Sequence, residues 1–280
     1  MTQDITGLSA SQKEEIANYI ARDNLVIVNR KVKEVKVKST LYTRYIKRGM
    51  DMLISLVALV VFAPLNLIIA IVTFFDVGAP IIFKQQRIGI NERKFTIYKF
   101  RNMTNETDAK GELLPARERI TRWGRFVRKT SLDELLNFVS VVKGDMSIIG
   151  PRPLLDYYTE RLNDRHKKIY AIRPGLECPT LHSQEKLLSW QERLDNYVWY
   201  VENCTFLIDI KLALRIIQTA LHAKGTNQRA NANHGGLLGY DKDGNIIYTK
   251  AVPEIFLDEF CKKHGYKNLE EAIEKRRIDK

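Results

Sequence analysis

An acidic pair, Asp133 and Glu134, is the strongest candidate for chemistry in this sequence of 280 residues. Ser131 lies three residues before Glu134, which predicts a capping box with Ser131 at the N-cap and Glu134 at position N3 of a helix. Taken alone, the box indicates only the start of a helix, with acidic residues placed favourably against the helix dipole. Neighbouring helical residues differ by about 100° in direction, so the two carboxylates are expected to have different roles.

The basic residues around this pair predict a phosphate site. A helix N-terminus presents free N–H groups and partial positive charge, and arginine can hold phosphate oxygens through two parallel hydrogen bonds. In that setting an ionised Asp133 could attack phosphorus directly, without a general base. A divalent metal would then screen the carboxylate from a diphosphate and stabilise the leaving group. The basic residues are Arg122, Arg125, Arg128, Lys129, Arg152 and Arg173.

Residues 50–75 form an almost wholly apolar segment. It is long enough to cross a hydrocarbon core of about 30 Å. Pro64 lies near its middle, and proline removes one backbone hydrogen bond and clashes with the preceding helical turn. The segment is therefore expected to break at Ala63 and Pro64 into two helical arms, residues 50–63 and 65–75. Asn66 is expected to bond a backbone group that is freed at this break.

Both flanks of the apolar segment are basic, residues 30–48 before it and residues 84–101 after it. Basic flanks favour the cytoplasmic side of a membrane. A hairpin that enters the membrane and returns satisfies both flanks, whereas a spanning helix places one of them on the opposite side. The pattern therefore favours a re-entrant helix-break-helix over a spanning helix, and a buried helix of a soluble core is the third alternative.

The overall charge restricts the class of partner. The chain has 45 Lys and Arg against 33 Asp and Glu, a net charge of +12, which suits acidic lipids, phosphate-rich substrates or nucleic acid. A nucleic-acid binder has no use for the apolar segment, so no nucleic-acid partner is expected. No secretory signal is expected near residue 1. The three cysteines form no Cys-x-x-Cys pair and the five histidines show no zinc spacing, so we expect a reducing compartment and no structural zinc.

The remaining pattern predicts an α+β fold that is mostly helical. Runs of β-forming residues at 80–87 and 94–101 flank a turn at 89–91 and indicate a short hairpin. Helices are expected over residues 132–142, 154–171, 185–201 and 206–221, the last of them amphipathic. Residues 240–248 are typical of a second hairpin with its turn at Asp243 and Gly244, and residues 253–275 of one or two helices. The expected organisation is a polar N-terminal extension (1–43), a membrane-anchored domain (44–222) and a small C-terminal appendage (223–280).

Eight short motifs, in one order over residues 44–221, resemble those of the bacterial sugar transferases, the monotopic polyprenyl-phosphate phosphoglycosyl transferases. Each motif alone is weak, whereas the ordered set is specific. They are residues 47–51 (KRGMD), 62–64 (FAP), 83–89 (FKQQRIG), 98–103 (YKFRNM), 131–135 (SLDEL), 143–147 (KGDMS), 150–153 (GPRP) and 173–175 (RPG). The resemblance implies a re-entrant membrane helix and amphipathic interfacial helices around an active site on the cytoplasmic face of the bacterial inner membrane.

The same resemblance implies a two-step reaction. An aspartate like Asp133 attacks the β-phosphorus of a UDP-sugar, releases UMP and keeps the phosphosugar, which then passes to polyprenyl (undecaprenyl) phosphate as the first membrane step of a glycan pathway. It also implies Mg²⁺ at Asp133, with Glu134 completing the catalytic pair. The basic residues that it assigns to the phosphates are Lys99, Arg101, Arg128 and Arg152.

One segment departs from the family pattern. After Arg173 to Gly175 the family usually continues with a Thr-Gly-Trp-Ala-Gln segment and an Asn-Gly-Arg, whereas residues 176–184 read LECPTLHSQ. This region borders the nucleotide-sugar site of the family, so the donor sugar stays open. Two alternatives also stay open: a catalytically weak, membrane-bound scaffold of a glycan pathway, and a membrane glycosyltransferase that releases UDP. No Gly-x-Gly-x-x-Gly loop supports the latter.

Overall fold

A computed structural model describes residues 2–108, 111, 113–180, 189–221 and 235–278. These residues are mostly helical and include four two-stranded sheets, which confirms the expected α+β class. The helices are α1 Ala10–Lys31, α2 Lys47–Val61, α3 Ala63–Val77, α4 Ala116–Arg119, α5 Arg122–Thr130, α6 Phe138–Lys143, α7 Asp164–Lys167, α8 Trp190–Asn203, α9 Phe206–Leu221, α10 Glu254–His264 and α11 Leu269–Ile278. The strands are β1 Thr2–Gln3, β2 Ile82–Ile88, β3 Lys94–Phe100, β4 Ser147–Ile149, β5 Gly175–Glu177, β6 Leu237–Tyr240, β7 Ile246–Tyr248 and β8 Val252–Pro253.

The apolar segment forms two helices that meet at Phe62. Helix α3 begins at Ala63 and has Pro64 in its first turn, where the missing N–H of proline leaves no helical hydrogen bond unmade. The backbone N–H of Asn66 donates to the carbonyl of Phe62 over 2.8 Å. Its side-chain Oδ1 is buried and finds no hydrogen-bond partner among the described residues. The bend therefore rests on Pro64 and the backbone.

In the part of the chain that the structure describes, no single helix has both the length and the hydropathy of a membrane span. The pair Tyr42–Val61 and Ala63–Val77 meets both conditions jointly, with a bend of 59° between its arms. Large apolar side chains along this pair are exposed. They include Leu53, Val57, Val60, Val61, Leu67, Ile68, Ile71, Phe74 and Phe75.

The hairpin of β2 and β3 confirms the prediction for this region. The strands pair antiparallel from Ile82 opposite Phe100 to Ile88 opposite Lys94. A 3₁₀ turn, Ile90–Glu92, connects them and places Asn91 at a positive φ of 53°, a conformation that asparagine adopts more readily than most residues. Ile97 of β3 packs with Val141 and Met146, so the hairpin shares a small apolar core with the region around α6.

The capping box expected at Ser131 is wrong. Ser131 ends α5 in the left-handed conformation, with φ 59°, and no side-chain capping bond links it to the next turn. A 3₁₀ helix, Leu132–Asn137, follows and continues into α6, which ends at Gly144 with φ 96°. The apolar stripe over residues 132–142 thus belongs to two consecutive helices of different pitch, although its end near Gly144 is as predicted.

Two further helix predictions need correction. Residues 154–171 form three short pieces, the 3₁₀ helices Asp156–Arg161 and Lys168–Ala171 with α7 between them, and the continuous amphipathic helix was wrong. Helix α8 begins at Trp190, where Ser189 and Glu192 form a capping box. Residues 181–188, which held the expected start of that helix, lie outside the described residues. The helix over residues 206–221 is confirmed as α9.

The two ends of the chain pack against each other. Strand β1 pairs with β8, and α1 lies against β6 and α10. Their shared core is apolar and includes Ile5, Leu8, Ile16, Ile20, Leu238, Ile247, Phe256, Leu257 and Phe260. The hairpin of β6 and β7 and the helices α10 and α11 confirm the elements expected there. We call this unit the terminal module; it comprises the described residues 2–31 and 237–278.

Candidate active site

Asp133 lies in the first turn of the 3₁₀ helix that follows α5. This helix packs against β3, and the side chain of Asn137 accepts a hydrogen bond from the backbone N–H of Tyr98 over 3.1 Å. Gly124 lets α5 approach the end of β3, because a Cβ at that position would come within 2.0 Å of the carbonyl oxygen of Asn102. The close contact brings Asn102 to the candidate nucleophile.

The carboxylate of Asp133 is buried, with 4% of the residue exposed. Asn102 donates a hydrogen bond from Nδ2 to its Oδ2 over 3.1 Å, and within the described ranges no cation forms an ion pair with it. Burial, together with the neighbouring charge of Glu134, raises the pKa of Asp133 to about 6, against the smaller opposing effects of Lys99 and Arg128. The group is therefore mostly ionised at pH 7 and lacks a charged partner of its own.

Glu134 has the opposite environment. Its Oε1 accepts from Lys99 Nζ over 2.7 Å and from an Arg152 guanidinium nitrogen over 2.5 Å. Burial alone would raise the pKa of this carboxyl, but the charges of Arg152 and Lys99 outweigh it and hold the pKa at about 2. Glu134 is thus neutralised by two cations, and the adjacent carboxylates differ in environment as the expectation of different roles requires.

Arg152 reaches Glu134 because the backbone around it is tightly packed. Strands β4 and β5 are parallel, and a Cβ on Gly175 would come within 2.1 Å of the backbone nitrogen of Gly150. The other guanidinium nitrogen of Arg152 lies 3.3 Å from Glu177 Oε2. Arg152 is therefore held between two carboxylates at the edge of the site.

The structure brings four of the predicted site residues together: Asp133, Glu134, Lys99 and Arg152. Arg128 is exposed in the last turn of α5. From there its charge opposes the rise in the Asp133 pKa.

The other two predicted phosphate residues, Arg101 and Arg173, contact backbone carbonyls. The buried guanidinium of Arg101 donates to the carbonyls of Val77, Pro80 and Met103, which ties the end of α3 to the hairpin. Arg173 Nε donates to the carbonyl of Gly144 over 2.9 Å, just beyond the end of α6. A role at the phosphates stays a prediction for both.

Sequence reasoning gave no role to three residues at this site: Asn102, Arg87 and Glu177. Asn102 lies two residues after the end of β3, and a polar residue just beyond a strand that carries Lys99 was the available signal. Asp51 was also missed as an anchor; it accepts from Ser147 Oγ over 2.7 Å and from the N–H of Ile148 over 3.2 Å, which joins α2 to β4. Its signal was a carboxylate inside an apolar segment.

The donor set around Asp133 limits the kind of metal that could bind. The described residues contain no cluster of three or more His, Cys, Asp or Glu that could hold a metal by itself. Mg²⁺ commonly binds through one or two carboxylates plus substrate phosphates and water. A buried carboxylate without an ion-pair partner in the described ranges fits that mode, so Asp133 is the residue that would hold Mg²⁺ together with a diphosphate.

Comparison with known proteins confirms the resemblance to the bacterial sugar transferases that the eight ordered motifs predict. Residues 42–223 match the model of the family described as bacterial sugar transferase, and the chain belongs to this family. The terminal module lies outside the matched residues.

Three curated relatives illustrate the similarity. The chain is 38% identical over 201 residues to the "Uncharacterized sugar transferase EpsL" of Bacillus subtilis (strain 168), an alignment that covers 72% of this chain and 98% of that protein. It is 33% identical over 190 residues to a "UDP-N-acetylgalactosamine-undecaprenyl-phosphate N-acetylgalactosaminephosphotransferase" of Aeromonas hydrophila, covering 65% of this chain and 45% of the relative. It is 34% identical over 200 residues to the "Undecaprenyl-phosphate galactose phosphotransferase" of Salmonella typhimurium, covering 65% and 42%. The match thus spans less than half the length of the last two relatives.

Proposed function

We propose that this protein transfers a sugar 1-phosphate from a UDP-sugar to a polyprenyl phosphate and releases UMP. The observation that carries the proposal is the contrast between Asp133 and Glu134. Glu134 is neutralised by Lys99 and Arg152, whereas Asp133 is buried and ionised without an ion-pair partner in the described ranges. The names of the Aeromonas and Salmonella relatives support the acceptor and the phosphotransfer.

In the proposed first step Asp133 is the nucleophile. Its carboxylate oxygen bonds to the β-phosphorus of the donor, the bond from that phosphorus to the bridging oxygen breaks, and UMP leaves with the electron pair. In the second step an oxygen of the lipid phosphate attacks the same phosphorus, and the carboxylate of Asp133 is restored. Asn102 orients the carboxylate, and Glu134 holds Lys99 and Arg152 where charge builds up on the phosphate oxygens.

Mg²⁺ is part of this proposal, with Asp133 as its protein ligand. When bound, the metal neutralises the diphosphate and stabilises the departing UMP. The other parts of the proposed mechanism rely on the protein itself. The left-handed turn at Ser131 and the close contact of Gly124 with Asn102 position the carboxylate of Asp133 for the reaction.

We also propose that α2 and α3 enter the membrane and return, so that both basic flanks lie on the cytoplasmic face of the bacterial inner membrane. The exposed apolar residues of the pair and the bend of 59° support this topology. We propose that helix α9 lies at the membrane interface. An exposed apolar stripe at helical spacing supports this position: Leu207, Ile210, Leu214 and Ile217. On its opposite face Asp209 is buried and bonds to hydroxyls and an ammonium of neighbouring elements.

The nucleotide product tests the reaction. Purified protein in lipid nanodiscs, with Mg²⁺ and undecaprenyl phosphate, is mixed with a panel of UDP-sugars and the released nucleotide is separated. We expect UMP from one donor, formed in proportion to lipid-linked diphosphate sugar. Release of UDP would establish a conventional glycosyltransferase. If no nucleotide is released from any donor, the result would favour a catalytically weak scaffold of a glycan pathway.

Cysteine labelling tests the topology. Single cysteines at residues 38 and 90 are exposed to a membrane-impermeant reagent outside intact cells. We expect both to stay unlabelled and both to react after lysis. Labelling of only one in intact cells would establish a spanning segment. The native cysteines Cys178, Cys204 and Cys261 are buried and suit a low background.

A further inference from the structure

Arg87, on β2, faces a small cavity beside Glu134. The cavity has a volume of about 30 Å³ and is lined by Arg87, Lys99, Glu134, Asn137 and Arg152 with apolar neighbours. This volume is enough for one or two atoms the size of a water oxygen. A phosphate oxygen has that size.

The three cations at this cavity differ in their partners. Lys99 and Arg152 pair with Glu134, and Arg152 also pairs with Glu177. Arg87 is the third cation, and within the described ranges no carboxylate lies at ion-pair distance from it.

The hydrogen bonds of Arg87 leave part of its guanidinium unused. One terminal nitrogen donates to Gln85 Oε1 over 2.7 Å and the other lies 3.3 Å from the carbonyl of Pro153, both neutral acceptors. Its Nε is buried and finds no partner among the described residues. A buried donor without an acceptor costs about 1–3 kcal/mol, and more when it is charged. An incoming anion would remove that cost.

The electrostatics agree with this geometry. Burial, reinforced by the positive charge of Arg152, lowers the pKa of Arg87 from its ordinary value. Arginine stays protonated in proteins even so. The lowered pKa therefore reports a buried cation beside a second cation, with the negative charge of Glu134 as a smaller opposing effect.

We propose that Arg87 completes an anion subsite with Lys99 and Arg152 and binds a phosphate oxygen of the substrate. The inference rests on the proposed function for the identity of that substrate, and the ligand chemistry is a phosphate in either case. The phosphate belongs to the donor diphosphate or to the lipid acceptor. A planar guanidinium on a paired strand is held in position before the anion arrives, which lowers the entropic cost of binding.

Calorimetry with inorganic diphosphate tests the subsite without any turnover. Wild type, Arg87→Gln, Arg87→Lys and Lys84→Gln are titrated at one salt concentration, each after its unfolding temperature has been measured. Lys84 is an exposed cation on the same strand and serves as the matched control. We expect at least about tenfold weaker binding in Arg87→Gln, a loss within about threefold in Arg87→Lys, and no change in Lys84→Gln.

Equal affinity in folded Arg87→Gln and wild type would overturn the proposal. If Arg87→Gln fails to fold, the neutral Arg87→Met takes its place: a folded variant with at least about tenfold weaker binding supports the subsite, and a folded variant that binds diphosphate as tightly as wild type overturns it. Release of UDP, or no activity, would contradict the proposed function. The diphosphate titration would still test the anion subsite, because it measures binding and needs no turnover.

Kinetics then distinguish the two sources of phosphate. If Arg87 binds the donor, Arg87→Gln raises the KM for the UDP-sugar at least about tenfold and leaves the KM for polyprenyl phosphate within twofold. If it binds the acceptor, the pattern reverses. Unchanged KM values for both substrates would contradict a role in binding either one.

Discussion

The terminal module and the Asp133–Glu134 site bury opposite kinds of side chain. The module buries apolar groups such as Ile16, Leu257 and Phe260, and its ion pair between Arg22 and Glu259 lies on the surface. In the site, Asp133 is buried, and Glu134 forms partly buried ion pairs with Lys99 and Arg152. Burying apolar area stabilises a fold, whereas burying charge costs stability unless every charge is paired.

That difference separates residues kept for stability from residues that could do chemistry. Exposed ion pairs such as Arg22–Glu259 contribute little to stability because water screens them, so the apolar core holds the module together. In the site, the pKa of one carboxyl is about 6 and that of its neighbour about 2. Two adjacent carboxyls with such different pKa values indicate a division of labour.

The largest effect is expected for Asp133→Asn. Removing the nucleophile should lower kcat/KM at least about 10³-fold. Because the pKa of Asp133 is raised in the folded protein, the stability that its protonated carboxyl contributes is present below about pH 4 and is lost as the pH rises to about 6. Asparagine does not ionise, so the free energy of unfolding at pH 7 should rise by about 1–3 kcal/mol. Asp156→Asn, an exposed partner of Lys94, is the control and should change neither quantity appreciably. Wild-type turnover in Asp133→Asn would remove this residue from the mechanism.

Glu134→Gln should lower activity about a hundredfold, because Lys99 and Arg152 lose the carboxylate that positions them. Since the folded pKa of Glu134 is depressed, its contribution to stability is present above about pH 4.5 and is lost as the pH falls towards 2. At pH 7 the substitution should therefore cost about 2 kcal/mol in denaturant unfolding. Glu259→Gln removes an exposed carboxylate of the terminal module, and it should leave the denaturant midpoint of unfolding nearly unchanged. Equal costs for the two variants would contradict the contrast between the regions.

The pH profile should show a smaller effect. With a pKa of about 6, Asp133 loses its charge on acidification, and kcat/KM should be about tenfold lower at pH 5 than at pH 7. Glu134→Gln removes the negative charge that helps to raise this pKa, so the acid limb should move to lower pH in that variant. A flat profile between pH 5 and pH 7, with chemistry shown to be rate-limiting, would exclude an ionised Asp133 as the acting group.

The smallest effect on activity is expected in the terminal module. Phe260 is fully buried, and Phe260→Ala should cost about 3–5 kcal/mol of unfolding free energy. Activity per folded molecule should stay within about twofold. Ile255→Ala on the same helix is the control, since this side chain is 70% exposed and its removal should cost less than about 0.5 kcal/mol. A hundredfold loss of activity in folded Phe260→Ala would show that the module acts on the site directly.

Local patterns predicted the elements that depend on neighbouring residues. The sequence predicted the hairpin of β2 and β3, the broken apolar helix and α9. This was possible because hydrophobic period, proline and turn residues determine local structure within a few positions. The capping box failed because Ser131 serves the end of α5 instead of the start of the next helix. An apolar stripe also does not distinguish an α-helix from the 3₁₀ turn of residues 132–137 that leads into one.

Contacts between distant residues were beyond such patterns. The pairing of β1 with β8 joins Thr2 to Pro253, and no local signal connects the two chain ends. In the site, Asp133, Glu134, Lys99 and Arg152 were named from type and motif. The different environments of the two carboxylates arise from Arg152, 18 residues further along the chain, and from Lys99 on a neighbouring strand.

Capture of the covalent intermediate tests the central claim most directly. Protein and the active UDP-sugar are mixed with Mg²⁺ but without lipid acceptor, quenched, and analysed by peptide mass spectrometry. We expect a phosphosugar on Asp133 in wild type and in Glu134→Gln, and none in Asp133→Asn. A phosphosugar on Glu134, or undiminished turnover in Asp133→Asn, would contradict the assignment of the two carboxylates.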